Sequence, residues 1–162
     1  MRKGLFYSAL LALSFMLILS SCSSDDDGNS PSNNLQQIAQ IENDVESGTW
    51  RITNFNDSGQ DETSDFAGYD FTFNTDGTLV ATNGSNTQNG TWSVTDDDDS
   101  DDDSSSDDDD IDFNISFPVP DTNDFQDLND DWDIVSASST KIELRDVSGG
   151  NGDIDLLTFE KN

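Results

Sequence analysis

Polar and apolar residues alternate along most of the chain after residue 48, which is the pattern of half-buried β-strands. The first strand contains Trp50 and Ile52, and the second contains Tyr69, Phe71 and Phe73. The remaining segments with this pattern are 78–82, 90–94, 111–117, 132–137, 141–147 and 154–161. The alternation therefore predicts eight strands, each with one face directed into a core.

A different period precedes the strands. Apolar residues recur there at steps of three and four, at Leu35, Ile38, Ala39, Ile41 and Val45. This spacing places them on one face of a helix, and Gly48 ends the run. We expect one helix over residues 35–46.

Short connections between the strands predict an antiparallel order. Asp76 and Gly77 form a turn between the second and third strands, and the glycine-rich segment 149–152 joins the seventh to the eighth. Eight strands in this order can close into an all-β, up-and-down barrel with no free edge. A β-sandwich remains the alternative, because the strand pattern alone does not fix closure.

The alternation also predicts which side chains face the barrel interior. These are Trp50, Tyr69, Phe71, Phe73, Trp92, Phe113, Ile115, Phe117, Trp132, Leu144, Leu157 and Phe159. The candidate residues for binding a small apolar ligand are Trp50, Phe71, Phe73, Trp92, Phe113, Trp132 and Phe159. An eight-stranded barrel can hold one small ligand or be filled by its own side chains, and both remain open. The segment around Phe125 and Leu128 could cap one mouth, and the helix the other.

The N-terminus has the layout of a bacterial export signal. Arg2 and Lys3 precede an apolar run of about 14 residues, which is shorter than the roughly 20 residues of a membrane-spanning helix. The residues that follow, Leu19-Ser20-Ser21-Cys22, resemble the lipobox of bacterial lipoproteins. An ordinary secretory signal that happens to contain a cysteine is the alternative.

The lipobox resemblance implies cleavage between Ser21 and Cys22, so that 1–21 is a lipoprotein signal peptide. It also implies that the Cys22 thiol carries a diacylglycerol group and that its amine is acylated, for example with palmitate. Several acyl chains on one residue form a lasting anchor in a lipid bilayer, whereas one chain binds reversibly. The expected location is the cell envelope, with the protein lipid-anchored in the outer membrane and either periplasmic or surface-exposed.

Residues 22–34 follow as an acidic, serine-rich tether, and the domain is expected over 35–162. After the cysteine this stretch has no apolar side chain that could enter a core. Asp25, Asp26 and Asp27 resemble the surface-export signal of Bacteroidota-type lipoproteins. A plain solvated linker explains the same residues.

A second resemblance comes from two copies of the G-x-W motif. Gly48-Thr49-Trp50 opens the first strand, and Gly90-Thr91-Trp92 repeats the motif in the fourth. Together with YDFTFNTDGTL at 69–79 and the closing LLTFEK, this layout resembles the lipocalin-like domain of Bacteroidota lipoproteins. The resemblance covers residues 47–162 and implies a lipocalin-like barrel, which could bind a small hydrophobic ligand.

Charge restricts the partners of the protein. The chain has 35 acidic and 6 basic residues, and loss of Arg2 and Lys3 would leave 4 basic against 35 acidic residues, a net charge of −31. Such a charge repels nucleic acid. Residues 96–110 hold eleven aspartates and four serines, which predicts a disordered loop that could bind divalent cations weakly. We expect no defined metal site there, because a calcium loop needs fixed ligand spacing.

Enzymatic chemistry has little support in the sequence. There is no histidine, and Cys22 is the single cysteine, so nucleophile systems that need these residues are absent. We expect no cofactor and no catalytic residue. Two functions remain open: a membrane-anchored lipoprotein that binds a small hydrophobic ligand, and a structural or interaction lipoprotein with a filled barrel. In the second, the acidic surface would contact a protein partner, cations or extracellular matrix.

Overall fold

The computed structural model describes residues 31–96, 111–147 and 153–162. Within these ranges the chain forms one α-helix, α1 (Pro31–Val45), and two short 3₁₀ helices, η1 (Thr63–Phe66) and η2 (Asp124–Leu128). The strands are β1 (Trp50–Asp57), β2 (Gln60–Asp61), β3 (Asp70–Phe73), β4 (Thr78–Thr82), β5 (Thr87–Asp96), β6 (Ile111–Ser116), β7 (Asp130–Ala137), β8 (Lys141–Asp146) and β9 (Asp155–Lys161).

The strands form a closed, antiparallel, up-and-down barrel. Each strand from β3 to β8 pairs with the next along the chain, and β9 pairs back with β1 from Trp50↔Lys161 to Asn56↔Leu156. The remaining contact, between β1 and β3, is the single pair Trp50↔Phe71. Eight strands therefore make the barrel, while β2 pairs with the end of β1 as a small hairpin. This closure confirms the predicted barrel and excludes the β-sandwich.

Strand direction assigns every described connection to one of two ends. The helix end contains the start of β1, the β3–β4 and β7–β8 turns, and the last residue of β9. Helix α1 lies at this end, where the Asn34 side chain donates a hydrogen bond to Asp96 at the end of β5. The opposite end, the η end, carries the connections that contain η1 and η2. Both expected caps therefore lie at opposite mouths of the barrel.

The helix begins at Pro31, four residues earlier than the apolar spacing predicted. Proline suits the first turn of a helix, because an N–H at that position would have no helical partner. A pattern made of apolar residues cannot detect a polar first turn, so the predicted tether extends too far. The loop predicted over 96–110 begins one residue later, because Asp96 is the last residue of β5. Its remaining residues lie outside the described ranges, as do the signal peptide, Cys22 and the glycine-rich turn at 149–152.

The two G-x-W motifs place glycine for different reasons. Gly48 has φ +92°, in the left-handed region that side chains rarely adopt. At Gly90 the constraint is space, because a Cβ atom there would lie 2.5 Å from the carbonyl oxygen of Ser116. Only a residue without a side chain allows β5 and β6 to approach this closely. The tryptophan two residues later is buried in both motifs.

Trp50 joins the barrel to the helix. Its side chain is fully buried, and its indole N–H donates a hydrogen bond to the carbonyl oxygen of Val45, 2.8 Å away, at the last residue of α1. The aromatic ring is therefore buried while its one polar group keeps a hydrogen-bond partner. The orientation matches the interior position predicted from the sequence.

We expect Trp50→Ala to lower the free energy of unfolding by about 3 to 5 kcal/mol, because it leaves a large cavity. Denaturant titration of the full chain measures this loss, with Arg51→Ala as the matched control. Arg51 points outward and forms a 3.7 Å salt bridge with Glu160, and such an exposed pair contributes less than about 1 kcal/mol. Equal losses for the two variants would contradict the interior position of Trp50.

Candidate functional site

The barrel interior is the candidate site, and the structure brings all seven predicted residues together there. Trp50, Phe71, Phe113 and Phe159 are 0% exposed, Phe73 and Trp132 are 1% exposed, and Trp92 is 6% exposed. The rest of the predicted interior set is also buried, except Tyr69, which lies one residue before β3 and is half-buried. Alternation therefore identified the inward face of the strands correctly.

Aromatic rings contact one another throughout the interior. The ring centroid of Phe73 lies 5.3 Å from that of Trp92, 5.6 Å from Phe113 and 5.5 Å from Phe159. These three contacts are edge-to-face, and Trp92 stacks on Phe113 at 5.7 Å. Both arrangements are favoured geometries for aromatic pairs. The centre of the barrel is thus occupied by side chains that contact each other.

The polar atoms of the three tryptophans already have partners. Besides the Trp50 bond to Val45, the Trp92 indole donates to the carbonyl oxygen of Asn74 at 3.0 Å. The Trp132 indole donates to the carbonyl oxygen of Leu128 at 3.1 Å. Since indole has one donor and no acceptor, none of these groups remains to orient a ligand.

Phe125 of η2 closes the η end from inside. Its ring centroid lies 4.9 Å from Phe117, 5.0 Å from Tyr69 and 5.4 Å from Phe66 of η1. It also contacts Phe71 at 6.2 Å, so the cap is continuous with the barrel core. Phe125 is 4% exposed. The two short 3₁₀ helices therefore cover this mouth with aromatic side chains.

Basic side chains are few, and each described one has an acidic or polar partner. Arg145 donates to Asp133 at 3.0 Å, and Lys141 contacts Glu143 on the same strand. Lys161 donates to the Ser47 hydroxyl at 2.7 Å, and its amine lies 4.9 Å from the Trp50 ring centroid. These positive charges lie on the outer wall or at the helix end.

The η end, by contrast, collects carboxylates. Burial raises the pKa of Glu62, and repulsion from Asp57, Asp127, Asp65 and Asp124 raises it further. The pKa of Asp127 is raised by burial and by three of the same neighbours, Asp57 first. Nearby like charges favour the protonated forms of Glu62 and Asp127. This end of the barrel is therefore strongly negative.

Asp130 is the most perturbed carboxyl among the described residues. Burial, a hydrogen bond with the Asp131 side chain and repulsion from Asp146 raise its pKa to about 6. Oxygen Oδ2 of Asp146 is buried and accepts no hydrogen bond within the described part of the chain. The nearby Asp146 carboxylate therefore favours the protonated form of Asp130.

Asp130 and Asp146 were missed in the sequence, although a signal was present. Asp130 lies two residues before Trp132, and Asp146 lies two residues after Leu144, both of which face inward. Because side chains two apart on a strand share a face, alternation places both aspartates on the inward side at the η end. The abundance of aspartate across the whole chain concealed these two positions.

Within the described residues, no group of three or more histidine, cysteine, aspartate or glutamate side chains could hold a metal ion. No helix in the same ranges is both long and apolar enough to cross a membrane.

Comparisons with known proteins add one similar structure. No protein-family model matches the chain, and no curated protein matches it either. Among solved structures, the chain is similar to a DUF4847 family protein from Bacteroides vulgatus, with 18% sequence identity and a TM-score of 0.46. The match covers 75% of this chain and 97% of that one.

The Asp130 environment predicts a pH dependence of stability. The folded state raises the pKa of this carboxyl from an ordinary 3.8 to about 6, so it binds a proton more readily than the unfolded state does. Stability from this group is therefore present below pH 4 and is lost as the pH rises to about 6. Asp130→Asn cannot lose a proton, and we expect it to be more stable than the parent at pH 7, by on the order of 1 kcal/mol after allowance for solvent screening.

Denaturant titrations at pH 4, 5, 6 and 7 measure this effect, and the gain should shrink toward pH 4. Asp121→Asn is the control, because Asp121 is exposed and its replacement changes the net charge equally. A gain of the same size and pH dependence in the control would assign the effect to general charge repulsion instead of the Asp130 site.

Proposed function

We propose that this protein is a cell-envelope lipoprotein, anchored in the outer membrane through acylated Cys22, whose filled lipocalin-like barrel is a rigid scaffold for contacts made by its outer surface. The alternative is that the barrel binds a small hydrophobic ligand in its interior. Both functions are compatible with an up-and-down barrel, so the state of the interior decides between them.

The observation that favours the scaffold is the near-zero exposure of the seven interior residues. A side chain that lines a cavity large enough for water retains some exposed surface, even when the cavity is closed. Four of the seven residues have none, and the remaining three have 6% or less. A ligand would have to displace these side chains, at the cost of contacts such as those of Phe73 with its three aromatic neighbours.

The lipid anchor is supported by the lipobox-like residues Leu19 to Cys22 and by the run of apolar residues before them. The polar residues from 23 to 30 separate Cys22 from α1, which begins at Pro31. Strong negative charge would keep the domain away from anionic lipid headgroups, apart from the attached acyl chains. An anchored barrel of this kind exposes its outer wall to the envelope or to the cell exterior.

Replacing Cys22 tests the anchor. We expect Cys22→Ser to abolish incorporation of labelled palmitate and to move the protein from the membrane fraction to the soluble fraction, because serine does not form the thioether. Ser24→Ala, two residues away, is the control and should remain labelled and membrane-bound. Membrane retention of an unlabelled Cys22→Ser protein would overturn the lipoprotein proposal.

An apolar probe tests the filled interior. The three tryptophans of the chain all lie in the core, so their emission reports on anything that enters it. We expect benzene and longer aliphatic probes, which do not emit where tryptophan does, to produce no saturable change in the parent protein. Phe113→Ala is the positive control: it opens an apolar cavity, and such cavities can bind small aromatic molecules.

Saturation by a small probe in Phe113→Ala alone would support the filled scaffold. Saturation at one site per barrel in the parent protein would instead support the ligand-binding alternative. A thermal melt of both proteins confirms that the variant is folded, since removal of a buried phenylalanine costs about 3 to 5 kcal/mol.

A further inference from the structure

A polar groove runs across the outer wall of the barrel, over β5, β6 and β7, with a volume of about 530 Å³. Its side chains are Thr91, Ser93, Asn114, Ser116, Asn129 and Asp131. Trp92, Ile115 and Asp130 also line it; the side chains of Trp92 and Ile115 are buried in the core, and Asp130 lies on the inward side of β7. The groove therefore has a floor of strand backbone and walls of short polar side chains. Its volume falls within the range of small-molecule sites, about 300 to 1,000 Å³.

Strand register arranges these side chains in rows. Ser93 pairs with Asn114, and Asn114 pairs with Asp131, so the three stand side by side across the three strands. Thr91 pairs with Ser116 in the adjacent row toward the η end. Neighbouring strands are about 4.8 Å apart, so each row presents polar groups at a regular spacing of that size. The rows form an extended surface instead of a single point of contact.

Much of the hydrogen-bonding capacity in the groove is unused. The Thr91, Ser93 and Ser116 hydroxyls are exposed and make no hydrogen bond within the described residues. Asn114 donates to the Thr95 hydroxyl at 2.9 Å, which leaves its amide oxygen available as an acceptor. Each hydroxyl can donate one hydrogen bond and accept others. The groove thus offers both donors and acceptors to a ligand.

One edge of the groove is held rigidly. Asn129 donates to the carbonyl oxygen of Phe117 at 3.0 Å and accepts a hydrogen bond from the Phe117 backbone N–H. It also donates to Gln126 at 3.0 Å, which ties the groove to the η2 connection. A site whose supporting residues are fixed loses less conformational entropy when a ligand binds.

We propose that this groove binds a neutral carbohydrate chain. A sugar carries many hydroxyl groups, each of which donates and accepts, and the free groups of the groove match that chemistry. Carboxylates such as Asp131 accept hydrogen bonds from sugar hydroxyls. The lining contains no basic side chain for an anionic sugar or a phosphate, and no apolar side chain projects into it to hold a hydrophobic ligand.

This inference goes beyond the proposed function and does not depend on it. The groove lies on the outer wall, so carbohydrate binding requires neither the acyl anchor nor a particular state of the barrel interior. Carbohydrate binding would give the outer wall of the barrel a defined class of ligand, a neutral polysaccharide at the cell envelope or outside the cell.

The test uses the full chain in a zwitterionic detergent, which has no sugar headgroup. The probes are neutral hexasaccharides of glucose, mannose and xylose, with a cationic glucosamine hexamer and an anionic galacturonate hexamer for comparison. Calorimetry measures affinity, and amide NMR shifts locate the bound probe. We expect at least one neutral hexasaccharide to bind saturably and to shift the amides of Thr91, Ser93, Asn114 and Ser116.

Two asparagines on the outer face provide matched variants. Asn114→Ala removes a groove acceptor and should weaken binding by about two- to tenfold, the usual effect of one hydrogen bond. Asn89→Ala is the control, because Asn89 is an exposed residue of the same sheet, outside the groove, on β5. Its affinity should equal that of the parent protein. Ser93→Leu fills the groove and should abolish binding.

Three outcomes would overturn the proposal. The first is the absence of saturable binding by every neutral probe. The second is binding of the cationic hexamer alone, lost at high salt, which would indicate general attraction to the acidic surface. The third is equal weakening by Asn114→Ala and Asn89→Ala, which would place the sugar elsewhere. Parallel melting curves for the parent and the three variants show that each is folded.

Discussion

The close packing of aromatic side chains inside the barrel is the constraint on which the rest of the structure depends. An eight-stranded barrel is just wide enough for side chains from opposite walls to meet. Here the meeting side chains are large, and Phe73 contacts Trp92, Phe113 and Phe159 at once. Burial of such rings supplies the main favourable free energy of folding, and it also fixes the spacing of the strands that carry them.

Packing at the centre also determines how the two ends close. Trp50 is part of the core and also hydrogen-bonded to the last residue of α1, so the helix is held by the same residue that fills the helix end. At the other end, Phe125 contacts both Phe71 of the barrel and Phe66 of η1. Each cap is therefore an extension of the aromatic core. Neither behaves in the structure as a separate lid over an empty interior.

The large negative charge is tolerated because charge and core are kept apart. Within the described residues, no polar or charged residue is fully buried. The described carboxylates lie at the η end, on the outer wall and on α1, where water and salt screen most of their repulsion. Asp130 and Asp146 are the exception, since their inward positions leave them partly shielded from water. Both aspartates occupy strand positions whose side chains point inward, on β7 and β8. Their mutual repulsion there destabilises the fold.

Most of the fold could be predicted because a strand that is buried on one face alternates apolar and polar residues along its sequence. The segment 78–82 was predicted with the bounds of β4, and Trp132 and Phe159 were placed inward correctly. The secondary structure of short elements without that alternation was missed, although the segment around Phe125 and Leu128 was expected to cap one mouth. Strand β2 has two exposed polar residues, and η1 and η2 each contribute one or two apolar side chains to a tertiary contact. Their conformation depends on what they pack against, which local sequence does not contain.

The candidate site was only partly predictable for a related reason. Alternation identified which residues face inward, but whether they enclose a cavity depends on the rotamers and on the shear of the barrel. The outer groove is harder still to predict, because Ser93, Asn114 and Asp131 are distant in sequence and adjacent only through strand register. In the sequence, each of these three residues has the pattern of an ordinary solvent-facing strand residue. The pairing of β5, β6 and β7 in the sheet places their small, hydrogen-bonding side chains next to one another on the outer wall.

This division between the two faces of the barrel favours function on the outside. Every described inward position near the barrel centre is occupied by an apolar residue that contributes to stability, so a change there to create a binding site would weaken the fold. Outward positions carry no such constraint, because exposed substitutions rarely alter stability by more than about 0.5 kcal/mol. The wall formed by β5, β6 and β7 can therefore acquire polar chemistry such as that of Thr91, Ser93 and Ser116 without loss of the core beneath it.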